Sequence, residues 1–225
     1  MKTVLSTRIL TLSQKELLLN SGIGFVEYDA LHISLMDFEI PDSTEHVIVT
    51  SKNGAKSFVN AFKAKSNSSL KGKIQFYCVG EKTQRFIEDS GFMVKAMSTS
   101  ASELADLIVS KYNTNRFLFI SGNWRRDDIP EQLSKNNIRY DEIKGYETSF
   151  KVKSFNTTFD GYLFYSPSGI RSFLEANTLS DSPLFCIGET TAQEAKKHSE
   201  NIIVANKPTV ENVLVQVVKK LSFRT

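Results

Sequence analysis

The residues in this chain that could do chemistry are small hydroxyls, amides and glycines, gathered where apolar runs give way to helical patterns. Three such loops stand out: Thr50-Ser51-Lys52-Asn53-Gly54, Ser121-Gly122-Asn123 and Ser166-Pro167-Ser168-Gly169. Two more, Gly80-Glu81-Lys82-Thr83 and Gly188-Glu189-Thr190-Thr191, follow the runs FYCV and LFCI. A helix starting in such a loop presents unpaired N–H groups and a partial positive charge. That environment suits a carboxylate or a phosphate. The plain alternative is helix capping by Ser, Thr and Asn, which needs the same residue types.

Other chemistry has little support. The GxxxxGK[ST] spacing of a P-loop is missing. Gly22-Ile23-Gly24 precedes a strand and so is no dinucleotide fingerprint. No GxSxG elbow supports a hydrolase triad. His32, His46 and His198 stand alone, with no Cys or His at metal-ligand spacing. Cys78 and Cys186 each lie inside an apolar run without CxxC spacing. They read as buried free thiols in a reducing compartment.

The elements that must position these loops alternate. Short apolar runs near 3–7, 46–50, 74–79, 116–120, 161–165 and 183–187 read as buried strands, with helical patterns between them. Ser13-x-x-Glu16 and Ser100-x-x-Glu103 read as capping boxes, and Gly22 and Gly91 as left-handed helix stops. This alternation implies an α/β fold with parallel sheets covered on both faces.

The chain also repeats itself. VIVTSKNGAKSFV from Val47 resembles YLFYSPSGIRSFL from Tyr162, an offset of 115 residues from Ser51 to Ser166. FYCVGEKT from Phe76 resembles LFCIGETT from Leu184, an offset of 108 from Cys78 to Cys186. STSASELADLIV resembles NKPTVENVLVQV, and the opening segment from Val4 has a fainter partner from Phe119. Two similar α/β domains follow: residues 1–34 with 150–225, and an inserted 35–149. The extended segments near 25–34 and 143–153 break the rhythm and read as linker strands, crossed twice and acting as hinges.

The 225 residues are 40% hydrophobic with a formal charge of only +3, enough for two cores. Basic residues cluster no further than pairs, which argues against a nucleic-acid partner. No apolar run is long enough to span a bilayer. The N-terminal segment lacks the apolar core and cleavage site of a secretory signal, so a cytoplasmic location is expected.

Taken together, TSKNG with Phe58, YCVGEKT, SASELADLI, SGNWRRDDIPEQL, GYETS, FYSPSGIRSFL, CIGETTAQEA and NKPTVENVL resemble the uroporphyrinogen-III synthase family, in the family's order over nearly the whole chain. The resemblance implies two flavodoxin-like domains joined by a two-stranded β linker. It implies a monomeric lyase of porphyrin and heme biosynthesis that needs no metal or organic cofactor. The substrate would be hydroxymethylbilane, a linear tetrapyrrole with acetate and propionate side chains. The reaction would remove water and close the ring with inversion of ring D, through a spiro intermediate. The resemblance also admits transient hand-over of substrate from hydroxymethylbilane synthase.

By motif, the resemblance carries a catalytic role to Tyr146, whose phenol would help the hydroxyl leave. Substrate-binding roles fall to Thr191, Thr190, Ser166, Ser168, Gly169, Ser51, Lys52, Asn53 and Gly80. The chain has Ser121-Gly122 where the family often has Arg-Gly, which leaves Arg125 or Arg126 to make any arginine contact from that loop. Two other readings remain: a non-catalytic cytosolic two-lobed binding protein for an organic anion, and an interaction module.

Overall fold

The computed structural model describes residues 1–65 and 68–222. Within them the chain folds as two compact units, 1–32 with 149–222 and 33–148. We call them unit 1 and unit 2. Each is a sheet of parallel strands with helices packed on it.

Unit 2 runs through β4 (His46–Val49), α2 (Lys52–Ala64), a 3-10 turn (Ser68–Lys73), β5 (Gln75–Val79), α3 (Glu81–Asp89), β6 (Met93–Ser98), α4 (Ala101–Lys111), β7 (Phe117–Gly122), α5 (Asp128–Lys135) and β8 (Tyr140–Phe150). Its strands lie in the order β8-β7-β4-β5-β6, all parallel. Unit 1 begins with β1 (Lys2–Ser6), α1 (Leu12–Asn20) and β2 (Ile23–Glu27). It resumes with β9 (Gly161–Phe164), α6 (Pro167–Leu174), β10 (Leu184–Cys186), α7 (Glu189–Ala195), β11 (Ile202–Val204) and α8 (Val210–Leu221). Its order is β2-β1-β9-β10-β11, again all parallel. Unit 1 thus has the flavodoxin-like order 2-1-3-4-5, and unit 2 has the same spatial arrangement circularly permuted, with β7 and β8 in the places of β1 and β2.

The chain passes from one unit to the other within β3 (Leu31–Leu35) and within β8, which are neighbours in the six-stranded sheet. Met36 N donates to Gly145 O, and Lys151 N to Ala30 O. One strand's numbers rise as the other's fall, so this ribbon is antiparallel.

The central strands form because they are apolar on both faces: Val47, Ile48 and Val49 in β4, and Tyr162, Leu163 and Phe164 in β9, are all buried. Helix α2 buries Ala55, Phe58, Val59 and Phe62, the spacing of one helical face. Phe58, Phe62, Phe76 and Phe92 meet mostly edge to face in unit 2. Phe155, Phe159, Tyr162 and Phe173 do the same work in unit 1.

Some local expectations change. The first capping box is Thr11 with Gln14, not Ser13 with Glu16. Thr11 takes an extended φ of −70° and ψ of 165° as the residue just outside α1, while Ser13 is already helical. Ser100 caps α4 as expected, but Glu103 reaches Thr99 rather than Ser100. Gly22 and Gly91 do adopt positive φ, +70° and +80°. Residues 25–27, read as linker, belong to β2 and pair with β1. Strand β6 gives no apolar run because it is an edge strand of mixed polarity, and β11 gives none because it has only three residues.

Candidate active site

In an open sheet of this order, ligands gather beyond the carboxyl ends of the strands where the winding direction reverses. In unit 2 that point lies between β4 and β7, and the Ser51 and Ser121-Gly122 loops meet there. Ser51 sits in extended backbone ahead of α2, and its Oγ accepts from Gly54 N at 3.1 Å. The same Oγ lies 2.9 Å from Tyr146 Oη.

A one-residue irregularity brings Tyr146 to this point. Ser121 lies opposite Lys144, but Gly122 lies opposite Tyr146, so Gly145 is skipped. Side chains alternate faces along a strand, so a bulge re-aims every residue beyond it. The result lays the phenol ring against Gly122, where a Cβ would collide with the ring. Gly122 is therefore required by close approach. Gly145 is anchored by Ser57 Oγ, which donates to its carbonyl from inside α2.

The hydroxyl pair allows two proton arrangements. Ser51 Oγ already accepts one hydrogen bond and has one proton to give. If it gives that proton to Tyr146, the phenolic proton is left free to be donated outward. If Tyr146 donates to Ser51, the serine proton is the free one. Either way the pair offers one hydroxyl proton to a bound ligand.

Beside it is a depression of about 590 Å³ lined by Ser121, Gly122, Asn123, Arg125, Asp127, Glu142 and Lys144. Arg125 is held by Glu142 through Nε and Nη2 and by Asp127 through Nη1. These hydrogen bonds, Glu142 first, raise its pKa further. The charge is thus matched within the protein, and Arg125 is a brace for the loop rather than a spare anion binder. Asn123 locks the other side, donating from Nδ2 to Thr148 O at 2.8 Å and accepting from Thr148 N at 2.7 Å.

The other positions singled out in unit 2 are more ordinary. Lys52 is exposed, with Nζ 5.3 Å from the centre of the Phe86 ring. Asn53 is half-buried in the first turn of α2. Gly80 has φ of +81° and its N–H already donates to Ser98 O at 2.9 Å, so that N–H is not free for an anion.

In unit 1 the corresponding point lies between β1 and β9. Ser166 caps α6 with Pro167 in its first turn, accepting from Gly169 N at 3.1 Å. Ser168 Oγ is 3.0 Å from Ser166 Oγ. Thr7, which belongs to none of the motifs, closes the cluster. Its Oγ1 donates to Leu163 O at 2.9 Å, and a Cβ on Gly169 would sit 3.2 Å from that oxygen. Thr190 is exposed, while Thr191 is buried in α7 at 3% exposure. Cys78 and Cys186 are free and buried, and burial pushes both thiols up to about 12. Neither can be a thiolate nucleophile near neutral pH.

Among the described residues, no group of three or more His, Cys, Asp or Glu could hold a metal, and no helix is long and apolar enough to cross a membrane. Tyr146 with Ser51, and Ser166 with Ser168 and Gly169, come together within their own units. The remaining candidates do not join either group.

Fold and site thus define a protein of two doubly wound α/β units whose hydroxyl-rich loops lie at the switch points. The family model for uroporphyrinogen-III synthase HemD matches residues 16–214, most of the chain, and the chain belongs to that family. It is 26% identical over 185 residues to the porphyrin biosynthesis protein HemD of Ruminiclostridium josui, covering 75% of this chain and 36% of that protein. It is 31% identical over 120 residues to uroporphyrinogen-III synthase of Saccharomyces cerevisiae, covering 48% and 44%. These matches span less than half the length of either relative. The solved uroporphyrinogen-III synthetase of Helicobacter pylori shares the fold at a TM-score of 0.74 and 16% identity, over 98% of this chain and all of that one.

Proposed function

We propose that this chain cyclises hydroxymethylbilane to uroporphyrinogen III, with loss of water and inversion of ring D. Family membership supports the reading, and one geometric observation carries it: Tyr146 is bulged into place against Gly122 and shares a hydrogen bond with Ser51 at the switch point of unit 2. The terminal hydroxyl of the substrate leaves as water, taking the proton that the Tyr146–Ser51 pair offers. The carbon left behind bonds to the substituted position of ring D, and the spiro centre so formed reopens and recloses with the ring turned over. A pyrrole proton is lost at the end, so the balance is one water released.

Hydroxymethylbilane also closes unaided to the uninverted isomer. The protein must therefore favour one geometry over another, and fixed geometry can supply about 7–11 kcal/mol in the best cases. Hydroxyls and backbone N–H groups at Ser51, Asn53, Ser166, Ser168 and Thr190 are the proposed carboxylate partners, with Thr191 holding α7 in place. The same reading takes the protein as a cytoplasmic monomer of two domains that works without a cofactor. It receives its substrate from the enzyme that builds the linear tetrapyrrole.

The test is product analysis. Fresh hydroxymethylbilane is supplied, the product is oxidised, and type I and type III porphyrins are separated. Mainly type III is expected, with no change after exhaustive chelation. Type I alone at the spontaneous rate would leave an anion-binding protein.

A further inference from the structure

Helix α2 meets Tyr146 at more than one point. Ser51, Gly54 and Ser57 are spaced three residues apart and so form one ridge along the helix. At the start of the ridge, Ser51 Oγ lies 2.9 Å from Tyr146 Oη. At its middle, a Cβ on Gly54 would sit 3.7 Å from Tyr146 Cε1, so helix backbone and phenol ring lie side by side. At its far end, Ser57 Oγ donates to the carbonyl of Gly145, the residue that the β8 bulge skips. That carbonyl belongs to the planar peptide that carries Tyr146 N. Fixing the oxygen therefore fixes the plane from which the tyrosine departs.

Ser57 is only 1% exposed, so its hydroxyl is out of reach of a ligand and can act only through Gly145. The strand comes this close to the helix because residue 145 is glycine. A Cβ there would meet Ile120 Cγ2 at 2.6 Å and Ser57 Oγ at 2.7 Å. Met36 N donates to the same oxygen at 2.8 Å, but from the ribbon. Ser57 is the tie to the helix that also carries Ser51. A bulge can relax by a one-residue slip, and such a slip turns every side chain beyond it to the other face.

We propose that Ser57 is a positioning residue for the ring closure: its bond to Gly145 locks the bulge in register with α2 and so sets the Tyr146 hydroxyl at Ser51. The reaction rests on the cyclising reading, whereas the grip on Tyr146 does not. Unit 1 supplies the control. Ser172 makes the same bond from α6 to Ala30 O at 2.6 Å, but the next residue is Leu31, so no hydroxyl is aimed.

Turnover of hydroxymethylbilane is measured on the whole protein per folded molecule. The folded fraction is read from circular dichroism and from Trp124, the single tryptophan of the chain. Ser57→Ala should lower kcat about tenfold, because a displacement of about 1 Å can cost up to about a hundredfold. Its KM should stay within about twofold, and Ser172→Ala should leave both constants within about twofold. Ser57→Cys, which fills the same space with a weaker donor, should fall between. In a Tyr146→Phe background the hydroxyl is already gone, so adding Ser57→Ala should lower kcat by less than about a further twofold. A readout without substrate uses protein isotope-labelled at tyrosine Cζ and followed by NMR. Tyr146→Phe identifies the Tyr146 signal among the seven tyrosines. Ser57→Ala should move that signal and Ser172→Ala should not.

An unchanged kcat in Ser57→Ala, or an equal fall with and without the Tyr146 hydroxyl, overturns the positioning role and leaves Ser57 as a stability anchor. An unmoved Tyr146 signal does the same. A wild-type protein that makes no type III product sinks the cyclising reading separately, and the signal then still decides whether Ser57 sets Tyr146.

Discussion

Units 1 and 2 share a strand order and a set of anchors, yet only in unit 2 does the serine that caps the helix at the switch point meet a tyrosine hydroxyl; the unit 1 tyrosines Tyr165 and Tyr162 bond to Ser6 and Ser180 instead. The anchors show how close the two are. Ser57 and Ser172 occupy matching places in α2 and α6. Both are buried, and each donates from its hydroxyl to a carbonyl of the ribbon, Gly145 and Ala30 respectively. Each of those carbonyls also accepts a backbone N–H from the opposite ribbon strand. Ser51 and Ser166 cap the two helices in the same way.

The difference begins in the register of one strand. Glu27 in unit 1 corresponds to Glu142 in unit 2, three residues before the anchored carbonyl in each case. Ser6 lies opposite Glu27, but it is Phe119 that lies opposite Glu142. Unit 2 therefore extends β7 beyond the place where β1 stops, adding Ile120, Ser121 and Gly122 to the strand. This extension and the bulge in β8 bring Gly122 against Tyr146. In unit 1 the place of Tyr146 is taken by Leu31, and Thr7 fills the space beside Gly169. A shared scaffold thus joins its helix-capping serine to a tyrosine hydroxyl in unit 2 and to a second serine in unit 1.

Removing the phenolic oxygen should break this contrast most sharply. Tyr146→Phe keeps the ring against Gly122 and loses only the hydroxyl, so the rate should fall by about one to two orders of magnitude, the lower range for acid assistance. Product should stay largely type III, because inversion depends on geometry. Quantified type I and III porphyrins give both answers. Full activity in the Phe variant would return Tyr146 to a packing role.

The two serine anchors should be equal. Ser57→Ala and Ser172→Ala each remove a donor from a buried carbonyl that keeps its backbone partner, a loss of about 0.5–1.5 kcal/mol. Urea unfolding separates the units, because Trp124 emission follows unit 2 alone while far-UV circular dichroism follows both. Ser57→Ala should move the emission transition, and Ser172→Ala should move only the dichroism. An emission shift in Ser172→Ala would mean that the units do not unfold separately.

The two caps should be equal in stability and unequal in rate. Ser51→Ala and Ser166→Ala each remove a cap contributing typically about 1 kcal/mol. Both variants lose a proposed carboxylate contact, but only Ser51→Ala also takes away the partner of the Tyr146 hydroxyl, so it should slow turnover more when activity is expressed per folded molecule. Equal slowing in both would point to substrate contacts of the same kind in each unit.

How much of this was legible in the letters follows from the same comparison. Buried parallel strands announce themselves as apolar runs, so β4, β5, β7, β9 and β10 were readable, and the repeat gave the matching of Ser51 to Ser166. Register was not readable. The faint pairing of the Val4 and Phe119 segments sets Ser6 against Ser121, whereas the hydrogen-bonded register sets it against Phe119. Three residues of strand extension leave no mark in composition. The bulge that aims Tyr146 is equally silent, although the run Lys144-Gly145-Tyr146 contains the glycine that it skips. Ser57 and Ser172 were matched as letters, but a serine inside an amphipathic helix gives no sign that its hydroxyl serves a distant carbonyl. Thr11 outcompeted Ser13 as a cap because both satisfy the same spacing rules, with Gln14 and Glu16 as rival partners.

The smallest effect separates the units by pH. His46 opens β4 against the rings of Tyr77 and Phe117, and in unit 1 its place is held by Gly161. Burial lowers its pKa below the ordinary value of 6.5, with Lys95 adding to that and Glu45 opposing it. The unfolded chain therefore takes up the proton first as pH falls. The contribution of neutral His46 to stability is complete above about 6.5 and declines as pH drops from there toward the lower folded value. Unit 1 has its own titrating group in Glu194, which the Arg171 and Lys197 hydrogen bonds hold down to about 2 from 4.5. That stability is complete above 4.5 and is lost only as pH falls from 4.5 toward 2. Between pH 7 and 5, then, Trp124 emission should report an earlier urea midpoint for unit 2, and His46→Gln should flatten that change. Below 4.5 unit 1 should weaken in turn, and Glu194→Gln should remove that part of its pH dependence in the dichroism. A slope between pH 7 and 5 that survives His46→Gln would place the sensitive group elsewhere in unit 2.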